Sequence, residues 1–275
     1  MPESDHAPRT VEANMAYVVE TGEKPVSASY GPGGTLHTHT GTYADHRVRI
    51  EDLRGREAAL ALDREGFRLV DHPTRVTDFY DEDEVRAVYH PELERLVERE
   101  TGCARAVVFD HTRRAGDDEI REARQVRGPV RHVHNDYTEW SGPQRVRDLL
   151  PDEADELLRH RMQVVQVWRA VRGPILSSPL GICDARSIAP ADLVPTERRY
   201  PNRVGEIYHI AYNPAHRWYY FSEMTRDEAL VFKCYDSRRD VARFTAHCAF
   251  DDPASPPHAS PRESMEARLL CFFRD

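Results

Sequence analysis

Two separate stretches of the sequence carry side chains that could bind one metal ion together. The first is HVHND, which contains His134 and Asp136, and the second is FTAHCAFDDP, which contains His247. Residues two apart in an extended strand point to the same face, so His134 and Asp136 could grip one ion. A histidine from a distant strand would complete three ligands and leave three octahedral positions open. Two histidines and one carboxylate arranged in this way are typical of non-heme iron(II) oxygenases.

A third stretch, PRES, contains Arg262 and Ser264 and lies 15 residues after His247. Iron oxygenases with such ligands commonly use 2-oxoglutarate, whose far carboxylate needs a fixed cation. The planar guanidinium of arginine binds a carboxylate through two hydrogen bonds, and a serine two residues on could donate another. The pattern therefore predicts a 2-oxoglutarate site at Arg262 and Ser264.

Each stretch also has a structural interpretation. His134 and Asp136 could form a turn with an aspartate cap, His247 could be a hydrogen-bonded core histidine, and PRES could hold a loop salt bridge. His132 could replace His134 as the ligand, but no carboxylate then follows at the required spacing. Four further histidines could be ligands or structural residues: His37, His39, His111 and His216.

Five residues are predicted to contact a substrate: Arg169, Tyr137, Trp140, Trp168 and Lys233. Arg169 could point into the interior and hold a carboxylate, or it could pair with an acid such as Asp184. Lys233 is the lone charge in ALVFKCY and, if buried, needs a partner, either Asp236 or a ligand. The aromatic residues could line an apolar pocket, although aromatic residues in strands also form plain core.

In the first half of the chain, the elements that must position these residues are expected to be both helices and strands. Residues 81–101 are predicted to form the clearest helix, capped by Asp81, kinked or split at Pro91 and ended by Gly102. Two short helices are expected within 141–161.

From residue 162 onward the sequence is typical of short strands, rich in β-branched and aromatic residues and separated by turn signals. The seven segments are MQVVQVWRAV, LGICDA, GEIYHIAY, RWYYFSEM, ALVFKCYD, RFTAHCAF and ARLLCFF. The predicted fold is mainly β with flanking helices, in a sandwich or barrel. We expect one domain over 1–275, with an irregular N-terminal arm over 1–45, helices and strands with the HxD motif over 46–161, and a β-rich barrel portion over 162–275.

Composition limits the other possibilities. The formal net charge of −9 argues against sequence-independent nucleic-acid binding, although abundant arginine allows local basic patches. No apolar run is long enough to span a membrane, and the N-terminus lacks the pattern of a secretory signal. Five cysteines without a CxxC pair fit a reducing cytoplasm. The sequence contains no Gly-rich strand-to-helix turn of the kind that binds a nucleotide cofactor.

The chain resembles the family that includes gibberellin desaturase, the cephalosporin 7-alpha methoxylation component and AsaB-like fungal oxidoreductases. The resemblance runs from about residue 46 to the C-terminus. Its main blocks are YHPELERLVERETGCARAVVFDHTRR, the HND site, RVRDLLP, VWRAVRGPILSSPLGICDARSI, NPAHRWYYFSEMTRDEALVFKCYDS, FTAHCAFDDP and PPHASPRESMEARLL. Such a stretch of similarity is too long to arise by chance.

This resemblance implies a double-stranded β-helix (jelly-roll) fold with iron(II) and 2-oxoglutarate. It implies hydroxylation, desaturation or a related oxidation of a small natural-product intermediate, with O2 as the oxidant. The metal role falls on His134, Asp136 and His247, and the carboxylate role on Arg262 and Ser264. Two alternatives stay open: an iron oxidase that needs no 2-oxoglutarate, and a cupin-like binding protein without turnover. A homodimer is compatible with the sequence.

Overall fold

The computed structural model of the chain describes residues 9–30, 36–201 and 203–274. Fifteen strands form within these residues, and most are short. In chain order they are β1 Thr10–Val18, β2 Val26–Tyr30, β3 Leu36–His39, β4 Tyr43–Asp52, β5 Phe67–Asp71, β6 Arg105–Ala115, β7 His134–Asn135, β8 Met162–Arg172, β9 Leu180–Cys183, β10 Leu193–Tyr200, β11 Arg203–Ile210, β12 Trp218–Tyr220, β13 Glu228–Asp236, β14 His247–Ala249 and β15 Glu263–Phe272.

Helices are few and flank the strands. They are α1 Glu82–Glu84, α2 His90–Thr101, α3 Asp118–Arg124, α4 Ser141–Leu149 and α5 Ala154–Leu157, with a π-helical turn at Val85–Tyr89 and single 3-10 turns at Glu57–Ala59, Ala185–Ser187 and Pro190–Asp192. The two short helices expected within 141–161 are therefore confirmed. Within the described residues, no helix has the length and apolar character needed to cross a membrane.

The strands form two sheets that pack against a shared core. Ten strands make the larger sheet in the order β1-β4-β12-β9-β14-β7-β11-β10-β2-β3, and five make the smaller one in the order β5-β13-β8-β15-β6. Apolar side chains from both sheets meet between them, for example Trp168 and Leu270 from the smaller sheet and Ile182 from the larger. A mainly β fold with flanking helices is confirmed.

The long helical segment before β6 follows its sequence signals closely. The Asp81 carboxylate accepts hydrogen bonds from the N–H groups of Asp83 and Glu84 and so caps α1. The π-helical turn then separates α1 from α2, which has a proline in its first turn, where the missing N–H costs little. Gly102 ends α2 with a φ of 73°, a conformation that glycine adopts without strain.

Strand β8 is buried on both faces, which explains its nearly continuous apolar sequence. Its even-numbered residues, such as Val164 and Trp168, point into the core between the sheets. Its odd-numbered residues, such as Val165 and Val167, pack against α2 on the other side. This alternation decides which side chains of the strand can reach an internal site.

The prediction of an irregular arm over 1–45 is wrong for its described part. Strand β1 pairs antiparallel with β4 along nine residues, and β2 and β3 extend the far edge of the larger sheet. Val11, Ala13, Met15 and Tyr17 are buried at alternate positions, which is the periodicity of a half-buried strand. Surrounding Gly, Pro and Thr signals obscured this pattern. Residues 1–8 and 31–35 lie outside the described part.

Candidate metal centre and substrate cavity

His134, Asp136 and His247 converge at the centre of the larger sheet. His134 of β7 is the direct partner of His247 in β14, and Asp136 follows β7 immediately. One ligand atom from each residue lies within 4.8 Å of the other two. The Nε2 atom of His134 is 3.5 Å from Oδ1 of Asp136, and the two imidazole centroids are 4.4 Å apart. The described residues form one such cluster of potential metal ligands.

Hydrogen bonds orient all three groups toward a common point. The Nδ1 atom of His134 lies 2.8 Å from the carbonyl oxygen of His132, and Nδ1 of His247 lies 3.1 Å from that of Thr245. A carbonyl can only accept, so each Nδ1 carries the proton and each Nε2 keeps its lone pair. The Oδ2 atom of Asp136 accepts from Nε of Arg268 at 2.7 Å, which leaves Oδ1 facing the histidines.

The protonation states also suit a divalent cation. Burial, together with the neighbouring His247, lowers the pKa of His134 to about 3, so the imidazole is neutral at pH 7. Burial likewise lowers the pKa of His247. Burial alone would raise the pKa of Asp136, but Arg268 and the two histidines outweigh it and hold the pKa at about 2. Two neutral imidazoles and one carboxylate are the ligand forms that metal binding requires.

The competing histidines take structural roles. His132 stacks on Tyr43 with ring centroids 3.9 Å apart, and His39 meets both rings edge-on. His111 is 3.0 Å from His90, and His216 is 3.1 Å from a carboxylate oxygen of Asp192. The side chain of His37 lies outside the described residues.

A network behind the ligands was missed at the sequence level. Ser264, Glu266 and Arg268 alternate along β15 with the apolar Met265 and Ala267 between them. In a strand, such alternation puts the three polar side chains on one face.

Glu266 accepts two hydrogen bonds from Arg114, at 3.0 and 2.7 Å, and one from Arg268 at 3.0 Å. Arg268 therefore links this buried carboxylate to the candidate metal ligand Asp136. A buried network in which every charge is paired holds its members in one geometry.

Arg262 is buried without a carboxylate partner among the described residues. Its Nη1 donates to the carbonyl oxygen of Ser178 at 2.6 Å, and its guanidinium lies 5.4 Å from the ring centroid of Trp168. Its Nε and the Oγ of Ser264 are buried with no hydrogen-bond partner in the described structure. Burial lowers the pKa of Arg262 to about 9. A buried cation beside orphaned polar atoms fits an anionic ligand such as 2-oxoglutarate.

A cavity of about 1070 Å³ opens onto His134 and Asp136 of the cluster. Its lining includes His134, Asp136, Tyr137, His209 and Arg268. The volume is at the upper end of the range for small-molecule sites, which is ample for an organic substrate, and Arg262 and Ser264 are not among the lining residues. Of the five predicted substrate residues, only Tyr137 lines this cavity.

The predicted substrate role of Arg169 is wrong, because its side chain leaves β8 on the face opposite Trp168. There it donates to Nδ1 of His72 at 2.6 Å and lies 5.0 Å from the ring centroid of Tyr89. The alternative pairing with Asp184 is also wrong, since that carboxylate pairs with two other arginines, Arg186 and Arg217.

Lys233 is fully buried and bonds to carboxylate oxygens of Asp63 at 2.7 Å and Asp236 at 2.8 Å. Its charge is satisfied within the chain, so the substrate role predicted for it is wrong. Trp168 belongs to the core and contacts Arg262 rather than the cavity. Trp140 is 51% exposed and lies outside the cavity, beside a minor surface pocket. Neither tryptophan is placed to contact a substrate in the main cavity.

Comparison with known proteins places this geometry in a family. A family model described as an oxidoreductase/YMDC permease-like domain matches residues 15–272. The chain is 32% identical over 265 residues to the hydroxylase/desaturase efuI of Hormonema carpetanum, covering 88% of each chain. It is 33% identical over 266 residues to the hydroxylase/desaturase CTB9 of Cercospora beticola, covering 88% of this chain and 81% of that one.

A solved structure agrees with these relatives. The iron and alpha-ketoglutarate-dependent endoperoxidase NvfI superposes with a TM-score of 0.85 at 29% identity, covering 97% of this chain and 99% of that one. The two-sheet architecture is thus the jelly roll of iron and 2-oxoglutarate (alpha-ketoglutarate) oxygenases, as the sequence resemblance implied. The chain belongs to the family of non-heme iron(II), 2-oxoglutarate-dependent oxygenases.

Proposed function

We propose that His134, Asp136 and His247 bind the catalytic iron(II) of an enzyme that oxidises a small natural-product intermediate. One observation carries the assignment: three buried lone pairs converge, and each is aimed by a hydrogen bond on the opposite side of its group. Two neutral imidazoles and one carboxylate that converge in this way are a donor set that iron(II) accepts.

We further propose that Arg262 and Ser264 bind the far carboxylate of 2-oxoglutarate. The unpartnered Nε of Arg262 and Oγ of Ser264 support this assignment, because both atoms are donors and a carboxylate accepts from both. Trp168 would hold the guanidinium plane from its other side. An iron oxidase without 2-oxoglutarate would instead direct a substrate carboxylate to Arg262.

With iron and 2-oxoglutarate bound, the site supplies O2 activation coupled to oxidative decarboxylation of the cosubstrate to succinate. The protein's own contribution is positional. Arg268 fixes the Asp136 carboxylate, and backbone carbonyls fix both imidazoles, so the ligand face is formed before the metal arrives. Tyr137 and His209 face the cavity where the substrate would be oxidised by hydroxylation, desaturation or a related reaction.

The test uses protein purified without oxygen. Wild-type chain should hold about one iron per protein and convert 2-oxoglutarate to succinate on exposure to O2, while His134→Ala should lose the iron. Arg262→Gln should keep the iron but lose the visible absorption that 2-oxoglutarate gives when it binds iron(II). Arg47→Gln is the matched control, because the Arg47 side chain is 73% exposed and does not line the cavity. A wild-type chain without stoichiometric iron would contradict the proposal.

All five cysteines are free and buried, which supports a reducing cytoplasm as the location. One catalytic domain over 1–275 and a homodimer both stay predictions; sedimentation velocity would measure the second. No nucleic-acid partner is proposed, since the net charge is −9.

A further inference from the structure

Gln166 is a buried glutamine whose side-chain amide has no partner within the chain. Its exposed fraction is 0%, and neither Oε1 nor Nε2 has a hydrogen-bond partner among the described residues. Buried polar atoms in native proteins almost always have a partner, which is a water molecule or a ligand where the chain supplies none. The neighbours of Gln166 indicate which partner fits.

The side chain of Gln166 lies on the inner face of β8. Even-numbered residues of this strand point between the two sheets, as Val164 and Trp168 do. Gln166 is directly opposite Arg268 of β15 on one side and Phe232 of β13 on the other. Residues directly opposite each other in antiparallel strands share a face, so these three side chains form a row across the smaller sheet.

Both neighbours of Gln166 in this row contact the proposed metal ligands. Arg268 donates from Nε to Oδ2 of Asp136 at 2.7 Å, and the ring centroid of Phe232 is 4.7 Å from that of His247. Gln166 lies between these two side chains. Its unpaired amide is therefore beside the metal centre, on the side of the smaller sheet.

The same pair of strands carries the other unpartnered polar atoms of the site. Ser264 of β15 is opposite Ala170 of β8, on the same face as Gln166. The four residues from Gln166 to Ala170 span about 13 Å of strand. Neither Gln166 nor Ser264 is among the residues that line the large cavity. An elongated ligand with polar groups at both ends, held between the sheets, would satisfy both sets of atoms.

Resting on the proposed function, we propose that Gln166 binds the keto acid end of 2-oxoglutarate while Arg262 binds the far carboxylate. The Nε2 group of Gln166 would donate a hydrogen bond to an oxygen of the keto acid and fix its orientation at the metal. The oxygens of a keto acid only accept, so this end needs a donor. Arg268 is committed to the carboxylates of Asp136 and Glu266, which leaves this role to the amide.

The test measures 2-oxoglutarate binding to iron(II)-loaded protein kept without oxygen. The readout is the visible absorption that the keto acid end gives when it binds iron(II), followed as 2-oxoglutarate is added. Gln166→Met should weaken binding about ten-fold or more, as for a lost hydrogen bond to a charged group. It should also shift the absorption maximum, because the lost bond is to the end that binds iron. Iron stoichiometry should stay unchanged.

Gln163→Met is the matched control. Gln163 is 1% exposed on the same strand, but it is odd-numbered, lies on the opposite face and donates to Asp236 at 2.9 Å. This variant should keep the affinity and the absorption maximum of the wild type. Thermal unfolding without 2-oxoglutarate provides a second check: Gln166→Met should melt no lower than the wild type, because the amide it removes is unpartnered.

The possible outcomes separate this proposal from the proposed function. If the wild type binds iron and 2-oxoglutarate and Gln166→Met binds the cosubstrate equally well, this proposal alone is overturned and the amide belongs to a buried water. Weaker binding with an unshifted maximum, or an unloaded variant that melts far below the wild type, would also overturn it. A wild type that binds no iron or no 2-oxoglutarate would overturn the proposed function as well.

Discussion

Replacing Arg262 by methionine should separate stability from cosubstrate binding. Methionine keeps much of the side-chain volume but removes the charge. In the absence of 2-oxoglutarate, Arg262 is a buried cation whose direct contacts are one carbonyl and the face of Trp168. We therefore expect Arg262→Met to abolish cosubstrate binding while leaving the unloaded protein as stable as the wild type or more so.

The expected change in unfolding free energy is the balance between the cost of burying the charge of Arg262 and the contacts that the arginine makes. Burial lowers the pKa of Arg262 to about 9, well below its ordinary value. The arginine is charged in both folded and unfolded chains at pH 7, so the folded state bears a cost of roughly 5 kcal/mol. Losing the hydrogen bond to Ser178 removes about 1.5–3 kcal/mol of stabilisation, and losing the contact with Trp168 removes about 0.5–2 kcal/mol of stabilisation. The net change in unfolding free energy is about 0–3 kcal/mol in favour of the variant.

The assay is thermal unfolding of both proteins with and without 2-oxoglutarate, in the presence of iron(II) and absence of oxygen. Saturating 2-oxoglutarate should raise the melting temperature of the wild type, because a ligand that binds only the folded state stabilises it. The same addition should leave Arg262→Met nearly unchanged, with affinity reduced about ten-fold or more. A variant that melts far below the unloaded wild type, yet still responds to 2-oxoglutarate, would refute the reasoning.

Three other predictions test the corrected assignments and the buried histidines. Lys233→Met should lower the unfolding free energy by about 3–5 kcal/mol, because it leaves Asp236 buried without its lysine and Asp63 without one partner, while iron stoichiometry in the folded fraction stays unchanged. Trp140→Ala should change 2-oxoglutarate affinity by less than about 0.5 kcal/mol, since the ring lies outside the cavity, and a large loss would place it in the site. Burial lowers the pKa of His209 in the folded chain to about 2. Between about pH 2 and pH 6.5 the unfolded chain therefore binds one more proton at this histidine than the folded chain does, so the unfolding free energy falls as the pH falls. Chemical denaturation of the metal-free protein at a series of pH values measures the slope of the unfolding free energy against pH. In His209→Gln this slope should be smaller by about one proton, and an unchanged slope would contradict the prediction.

The convergence of His134, Asp136 and His247 and the main helix could be predicted from sequence because each depends largely on local spacing. Asp136 selects His134 over His132 through a two-residue separation, and the structure indeed turns His132 toward Tyr43. The cap at Asp81 and the stop at Gly102 are likewise properties of a few neighbouring residues.

Side-chain direction on strands buried on both faces was the main source of error. Arg169 and Trp168 are adjacent in β8, so one must face the interior and the other α2, but the apolar sequence on both faces hides which is which. Lys233 shares this ambiguity on β13. The alternation of Ser264, Glu266 and Arg268 was visible in principle. Its meaning depended on the partners Arg114 and Asp136, which are distant in sequence.

The most direct measurement is a crystal structure of the protein grown without oxygen in the presence of iron(II) and 2-oxoglutarate, with the iron located by its anomalous signal. The account predicts one iron about 2.0–2.2 Å from Nε2 of His134, Oδ1 of Asp136 and Nε2 of His247, by analogy with other divalent metal sites. It also predicts the far carboxylate of 2-oxoglutarate against Arg262 and Ser264. Iron bound elsewhere, or bound without Asp136, would contradict the central claim.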